Sequence, residues 1–298
     1  MLYDVSIRVK YRYDANVSAS RDLVMLTPLD VANAQRVILS ALTVDPKPDE
    51  WNGRRDFFGN NVVEIAFHEP HRDVTFALKA RVERMASGPS LDLSPRLADL
   101  AGEIASHRSL AGRAPHHFVG ASPRIPLAAE TTRYARAVAG RAPSVLAAVV
   151  AVGEALHRDI AYRPGVTTVS TPLLDAFRAR HGVCQDFTHI MIACLRGLAI
   201  PAGYVSGCLR TLPPPGEARL EGADATHAWV SAWCGAELGW VEYDPTNACL
   251  AGADHIVIAY GRDYGDVAPV RGVTRTAGGH SSDQAVDVIP VESAVATG

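Results

Sequence analysis

Cys184 stands where a thiol has little packing value. The segment GVCQDFTHIMIACLRGLAIPAGYVSG, residues 182–207, sets it immediately before an amphipathic helical pattern. Phe187, Ile190, Met191, Cys194, Leu195 and Leu198 fall at i, i+3, i+4, i+7, i+8 and i+11, so one face of that helix is expected to be buried. A structural cysteine belongs inside such a stripe, as Cys194 does. Cys184 extends the stripe three residues upstream, at the helix start, and should point toward a sheet. The first turn of a helix presents unpaired N–H groups and a partial positive charge, and both favour thiolate over thiol. An ordinary cysteine is only a few per cent ionised at neutral pH, so a nucleophile there also needs a neighbouring imidazolium.

The candidate base lies in DATHAWVSAWCGAELGWVEYDPTN, residues 224–247. His227, Trp229, Ser231 and Trp233 share one face of a strand; Ala228, Val230, Ala232 and Cys234 share the other. GAELG turns the chain and WVEYD returns. Asp244 ends that strand because Pro245 has no N–H for the ladder. A carboxylate there would bond His227, fix its tautomer and stabilise the imidazolium, which is the third role in a nucleophile, base and orienter site. One obstacle is geometric. A symmetric hairpin with 235–239 as its loop pairs Cys234 with Trp240 and Val230 with Asp244. That puts Asp244 on the face opposite His227 and about 10 Å along the strand. The reading therefore requires a bulge or an uneven loop between 231 and 243.

Other conspicuous residues have plainer readings. Asp186, in the first turn, complements the helix dipole. His181 and His189 are structural or solvated. Trp229, Trp233 and Trp240 are core residues, one of which could wall a cleft. Cys194, Cys208, Cys234 and Cys249 are inert fillers. His116 and His117 sit on a loop without metal-ligand spacing. Asp244-Pro245 is also a turn signal in its own right.

The elements that must position these groups fall into two stretches. Residues 3–13 alternate, with Val5, Ile7, Val9, Tyr11 and Tyr13 inward. Residues 74–83 do the same through Val74, Phe76, Leu78, Ala80 and Val82. Shorter strands are expected at 21–27, 35–44 and 62–67, with FFGNN at 57–61 as a turn. No helical pattern occurs in the first 85 residues, so an antiparallel sandwich is expected. ASGPSLDLSP at 86–95 marks a boundary, a short helix follows at 95–106, and 112–126 reads as loop. Ser144 caps a helix carrying Val145, Val149, Val152, Leu156 and Ile160. Thr171 as N-cap and Pro172 at the first helical position open another. After Pro201, strands are expected at 203–210, 226–234, 240–244 and 255–260, with 211–224 as a stiff loop. The division is 1–90, a linker at 91–125, and an α+β unit at 126–298.

Composition excludes several classes. The chain has 298 residues, 20% of them charged, with a net charge of -3 and no long basic run, which disfavours nucleic-acid and anionic-membrane partners. The N-terminus alternates instead of forming an apolar leader, so no signal peptide is read there. SVLAAVVAVGEALH is too short and too polar to span a bilayer. Five cysteines, an odd number without a C-x-x-C pair, argue against a disulfide framework or zinc ribbon and for a cytoplasmic home.

Taken together, GVCQDFTHIMIACLRGLAIPAGYVSG, THAWVSAW and GWVEYDPTN, in this order, resemble the bacterial transglutaminase-like proteins of the papain-like cysteine-enzyme superfamily. HIVIAYGRDYGDVAPVRGV at 255–273 extends the likeness. VSIRVKYRYDANVSASRDLVMLTP and FFGNNVVEIAFHEPHRDV resemble the β-domain attached to that family. The resemblance implies an α+β papain-like core behind an N-terminal β-sandwich. It also implies Cys184 as nucleophile, His227 as general base and acid, and Asp244 as the orienting acid. No acidic calcium loop of the animal transglutaminases is visible, so no metal or other cofactor is expected. The expected reaction is acyl transfer on a peptide or protein amide through a thioester, leaning to hydrolysis. The alternatives are a true glutamine γ-glutamyltransferase and a non-catalytic peptide-binding module of the same fold.

Overall fold

The computed structural model describes residues 1–85, 91–211 and 224–291. The boundary read at 86–95 lies partly outside these residues, and the loop read at 211–224 lies almost wholly outside them. The chain opens with β1 (Leu2–Val17), β2 (Ala19–Val24), β3 (Gln35–Asp45), β4 (Glu50–Arg55), β5 (Asn61–Phe67) and β6 (His71–Arg84). Next come α1 (Leu97–Ser106), a single 3-10 turn at Pro115–Phe118, α2 (Ala129–Ala139) and α3 (Val145–Asp159). The chain continues through β7 (Ala161–Tyr162), α4 (Leu173–Ala179), β8 (His181–Gly182) and α5 (Cys184–Gly197). It ends with β9 (Ala202–Leu209), β10 (Ala225–Trp233), β11 (Trp240–Asp244), β12 (Cys249–Leu250), β13 (His255–Gly261), α6 (Tyr264–Val267), β14 (Val270–Arg275) and β15 (His280–Pro290).

The alternation of the first strands builds a sandwich because each strand has one apolar face to hide. Val5, Ile7 and Val9 of β1 and Val74, Phe76 and Leu78 of β6 are buried in one cluster with Val24, Ile65 and Phe67 of the second sheet. The two antiparallel sheets run β15-β1-β6-β3 and β14-β2-β5-β4. β4 gave no signal in the sequence because all its residues are exposed and EWNGRR does not alternate. The last two strands, inside the stretch read as the second unit, pair here with β1 and β2. Val286 and Val288 of β15 are buried against the sandwich core, which explains the pairing energetically.

The second layer is a five-stranded antiparallel sheet, β12-β11-β10-β9-β13, with α5 packed on β10 and β9. Ile190, Met191, Cys194 and Leu195 of α5 share a core with Tyr204, Ala228, Val230 and Ala232 of the sheet. Burying each of the large apolar side chains contributes roughly 1.5–3 kcal/mol. α2, α3 and α4 pack around α5. The Ser144 side chain caps α3 as expected, accepting from the Ala147 N–H at 3.1 Å. At α4 the expectation is corrected: Pro172 is the N-cap and Thr171 gives no cap hydrogen bond. Its hydroxyl instead accepts from the Thr168 N–H at 2.9 Å, closing the preceding turn.

The free edge of β13 would expose unpaired backbone groups. Two buried amides from the sandwich satisfy them. Gln35 donates to the Val257 carbonyl at 2.8 Å and accepts from the Val257 N–H at 2.9 Å. Asn60 does the same for Tyr260, with both bonds at 2.8 Å. The sandwich and the α5 layer are thereby joined at fixed register.

Candidate active site

The entry to α5 is fixed by a short parallel pair, with Ala161 opposite His181 and Tyr162 opposite Gly182. Asp186 turns back over this entry. Its Oδ2 accepts from the Val183 N–H at 2.8 Å and from the Thr167 hydroxyl at 2.6 Å. Asp186 thus caps the helix, which is more specific than the expected dipole complement. A Cβ on Gly182 would stand 2.6 Å from Asp186 Oδ2 and 2.7 Å from Asp186 Cβ, so only glycine fits before the helix.

Cys184 opens α5 and is partly exposed. It packs against the core, near enough to His227 to make that ring more basic. The other thiols are placed differently. Burial pushes Cys208 and Cys234 up to about 12, drives Cys194 higher still, and raises Cys249, where the Asp244 charge adds to it.

His227 is buried on β10, and its Nε2 lies 2.7 Å from Asp244 Oδ2. Burial alone would make the imidazole less basic. The hydrogen bond and charge of Asp244, together with the neighbouring Cys184, overcome this and raise its pKa to about 10.

Asp244 is fully buried at the end of β11. Its Oδ1 accepts from the N–H groups of Thr246 at 2.9 Å and Asn247 at 3.2 Å. Its Oδ2 accepts from His227, from the Asn247 amide at 2.7 Å and from His255 Nε2 at 3.1 Å. Burial opposes the negative charge, but these donors and the His227 charge win and hold the carboxyl far below the usual range. The turn role and the histidine-holding role coexist, one on each oxygen.

The register obstacle is resolved in the loop. The ladder runs without a bulge from Val230 opposite Tyr243 to Trp233 opposite Trp240. The connection therefore spans 234–239, one residue more than the symmetric reading. The Cys234 N–H bonds the Gly239 carbonyl at 2.8 Å, and Gly235 and Gly239 take φ of 94° and 70°. This single-residue offset carries Asp244 to the face of His227. It stands about 7 Å away on the diagonal, within side-chain reach.

His255 and Asn247 were not found by sequence reasoning. The Asn247 signal was present in the turn letters DPTN. His255 gave none, because β13 lies at the opposite edge of the sheet from the β11–β12 pair. His227, Asp244 and His255 offer ligand atoms within 4.8 Å of one another, the spacing a metal would need. However, the Gly252 N–H donates to His255 Nδ1 at 3.2 Å, so Nε2 must carry the ring proton that points at Asp244. The three side chains therefore satisfy one another as a hydrogen-bond cluster.

His189 is buried and accepts from the Tyr264 N–H at 3.2 Å; burial lowers its pKa to about 4, which fits a structural role. Trp229 and Trp233 are core residues. Trp240 walls a cavity of about 700 Å³ shared with Asn33, Arg84, Arg113, Glu242 and Tyr260, and neither Cys184 nor His227 lines it. Glu242 accepts there from Trp229 Nε1 at 2.9 Å and the Tyr260 hydroxyl at 2.6 Å.

With this geometry established, comparison with known proteins places the chain. Residues 3–83 match the bacterial transglutaminase-like N-terminal region, and residues 132–245 match the transglutaminase-like superfamily. An uncharacterized protein of Mycobacterium tuberculosis is 38% identical over 97% of this chain and 93% of its own length. One of Mycobacterium leprae is 32% identical over 93% and 95%. The chain belongs to the transglutaminase-like superfamily, as the sequence resemblance implied. The fold is also that of a Cytophaga hutchinsonii protein whose crystal structure is reported as a candidate cysteine protease. The TM-score is 0.75 at 22% identity, covering 98% of this chain and 91% of that one. No described helix is long and apolar enough to cross a membrane.

Proposed function

We propose that the protein is a cysteine-dependent acyl-transfer enzyme acting on peptide or protein amides, with Cys184 as nucleophile, His227 as acid and base, and Asp244 as orienter. The observation that carries this reading is one buried imidazole held by a buried carboxylate, with a thiol nearby at a helix start. Nε2 of His227 meets Asp244 Oδ2 at 2.7 Å, and Cys184 lies near enough to raise the basicity of the same ring. The Cys184 thiolate attacks the amide carbonyl carbon. The resulting oxyanion is met by the Cys184 and Gln185 N–H groups, which open α5 ahead of its first backbone hydrogen bonds. His227 gives its proton to the departing amine as the C–N bond breaks, and a thioester remains. Neutral His227 then takes a proton from water as that water attacks the thioester. The acid leaves, and the thiolate–imidazolium pair is restored.

Hydrolysis is favoured over transamidation because the second route needs a dry acceptor site for an amine, and among the described residues those around Cys184 announce none. The five free cysteines suit a reducing compartment such as the cytoplasm. The test has two parts. Iodoacetamide should label Cys184 at least tenfold faster than the other four thiols, and Cys184→Ala should lose all amide turnover. Ammonia release from glutaminyl peptides, followed with and without a primary amine, then separates hydrolysis from transfer. Uniform slow labelling of all five thiols would favour the non-catalytic binding module.

A further inference from the structure

The proposed chemistry leaves one buried histidine without a task. Asp244 receives five donors, and three of them converge on Oδ2: His227 Nε2 at 2.7 Å, the Asn247 amide at 2.7 Å and His255 Nε2 at 3.1 Å. A carboxylate oxygen offers about two lone-pair sites, so Oδ2 is shared beyond its capacity. Asn247 belongs to the turn and His227 to the reaction. His255 comes from β13, across the sheet, and the turn needs nothing from it.

Its ring is fixed from both sides. The Gly252 N–H on Nδ1, at 3.2 Å, leaves that nitrogen without a proton. Nε2 therefore carries the N–H, aimed at Asp244. Trp229 stands edge-on to the ring at 5.1 Å, and the side chain is 7% exposed, so water cannot replace it.

We infer that His255 is a positioning residue for the His227–Asp244 pair: its neutral Nε2–H holds Oδ2 so that Asp244 stays an ionised acceptor and neither swings away from His227 nor takes its proton. The inference rests on the reading of Cys184, His227 and Asp244 proposed above. Each N–H that shares Oδ2 makes the carboxylate less basic, so the His227 proton remains available for the leaving amine. The titratable groups that face Asp244 are His227 from β10, His255 from β13 and Cys249 from β12; Tyr243, next on its own strand, points to α3 and feels only the Asp244 charge.

The experiment follows iodoacetamide labelling of Cys184 by mass spectrometry from pH 3 to pH 10, in the full chain and in H255L and H255Q. Leucine removes the donor. At pH 7.5, where Asp244 is ionised, labelling of H255L should be about tenfold slower than wild type, the loss expected when Asp244 is no longer held on His227. Glutamine keeps an N–H of similar reach and should restore the wild-type rate. A merely structural role would lower stability in both variants and leave the labelling rate of the folded protein in place, and that result overturns the inference. Absence of fast, pH-dependent labelling in the wild type is a separate failure, which sinks the underlying reading instead. Should H255L not fold, 15N spectra of the wild-type histidines at pH 7.5 decide: an unprotonated Nδ1 on His255 is expected, and a protonated one refutes the assignment.

Discussion

Asp244→Asn replaces the ionised acceptor by an amide of the same shape, and its cost should depend on pH in a definite direction. The His227 pKa stands at about 10 against 6.5 for an ordinary histidine. At 1.36 kcal/mol per unit, that rise corresponds to roughly 5 kcal/mol of preference for the charged ring. Asp244 and Cys184 share it, with Asp244 the larger of the two, so the part assigned to Asp244 is on the order of 2–3 kcal/mol. A folded-state pKa above the unfolded one contributes stability that is complete below about 6.5 and lost as the pH rises through about 10. The variant should therefore lose roughly 2–3 kcal/mol at pH 6 from this source, and progressively less toward pH 10. A second cost is independent of pH. The amide N–H₂ must face some of the five donors that surround Asp244, at about 1–3 kcal/mol. Urea unfolding at pH 6, 8 and 10 separates the two, because only the first changes across the series. A deficit that is flat from pH 6 to pH 10, or that grows, would mean Asp244 holds His227 only as a neutral prop.

Two further substitutions test how the site is framed. Gly153 lies inside α3, where alanine should be the better residue by about 1 kcal/mol. Yet a Cβ there would fall 2.0 Å from the Tyr243 ring. G153A is expected to destabilise by roughly 1–3 kcal/mol and to slow Cys184 labelling by displacing β11, and a stabilised variant would contradict that contact. Removing the Gln35 amide strands the buried Val257 N–H, while the carbonyl keeps the Leu29 N–H at 3.2 Å. Q35A should cost about 2 kcal/mol and speed hydrogen exchange at Val257, with N60A doing the same at Tyr260; unchanged exchange at both positions would show that the β13 edge needs neither amide.

The parts of this molecule that were legible in the sequence are those governed by local periodicity or by one residue's chemistry. The alternation of Val5, Ile7 and Val9 announced β1, the apolar stripe through Ile190 and Cys194 announced α5, and Ser144 announced its own cap. Asp244 was legible as a strand end through Pro245, but its face was not, because register depends on whether Cys234 belongs to the strand or to the loop. β4 was invisible because it buries nothing. His255 was invisible because its partner is 11 residues away in the chain and reached across a sheet. The Thr171 hydroxyl illustrates a local competition: a turn and a helix cap both wanted it, and the turn won.

The sandwich is stitched shut by two strands more than 200 residues further along the chain. β15 lies along β1 from Tyr3 to Tyr13, and β14 along β2 from Ala19 to Val24. β1 and β2 must therefore wait, with one edge bare, until residues 270–290 have been synthesised. Excising residues 1–90 as a free-standing module would leave both sheets with an unpaired hydrophobic margin. Such a fragment should seek another copy of itself before it behaves as an independent β-domain.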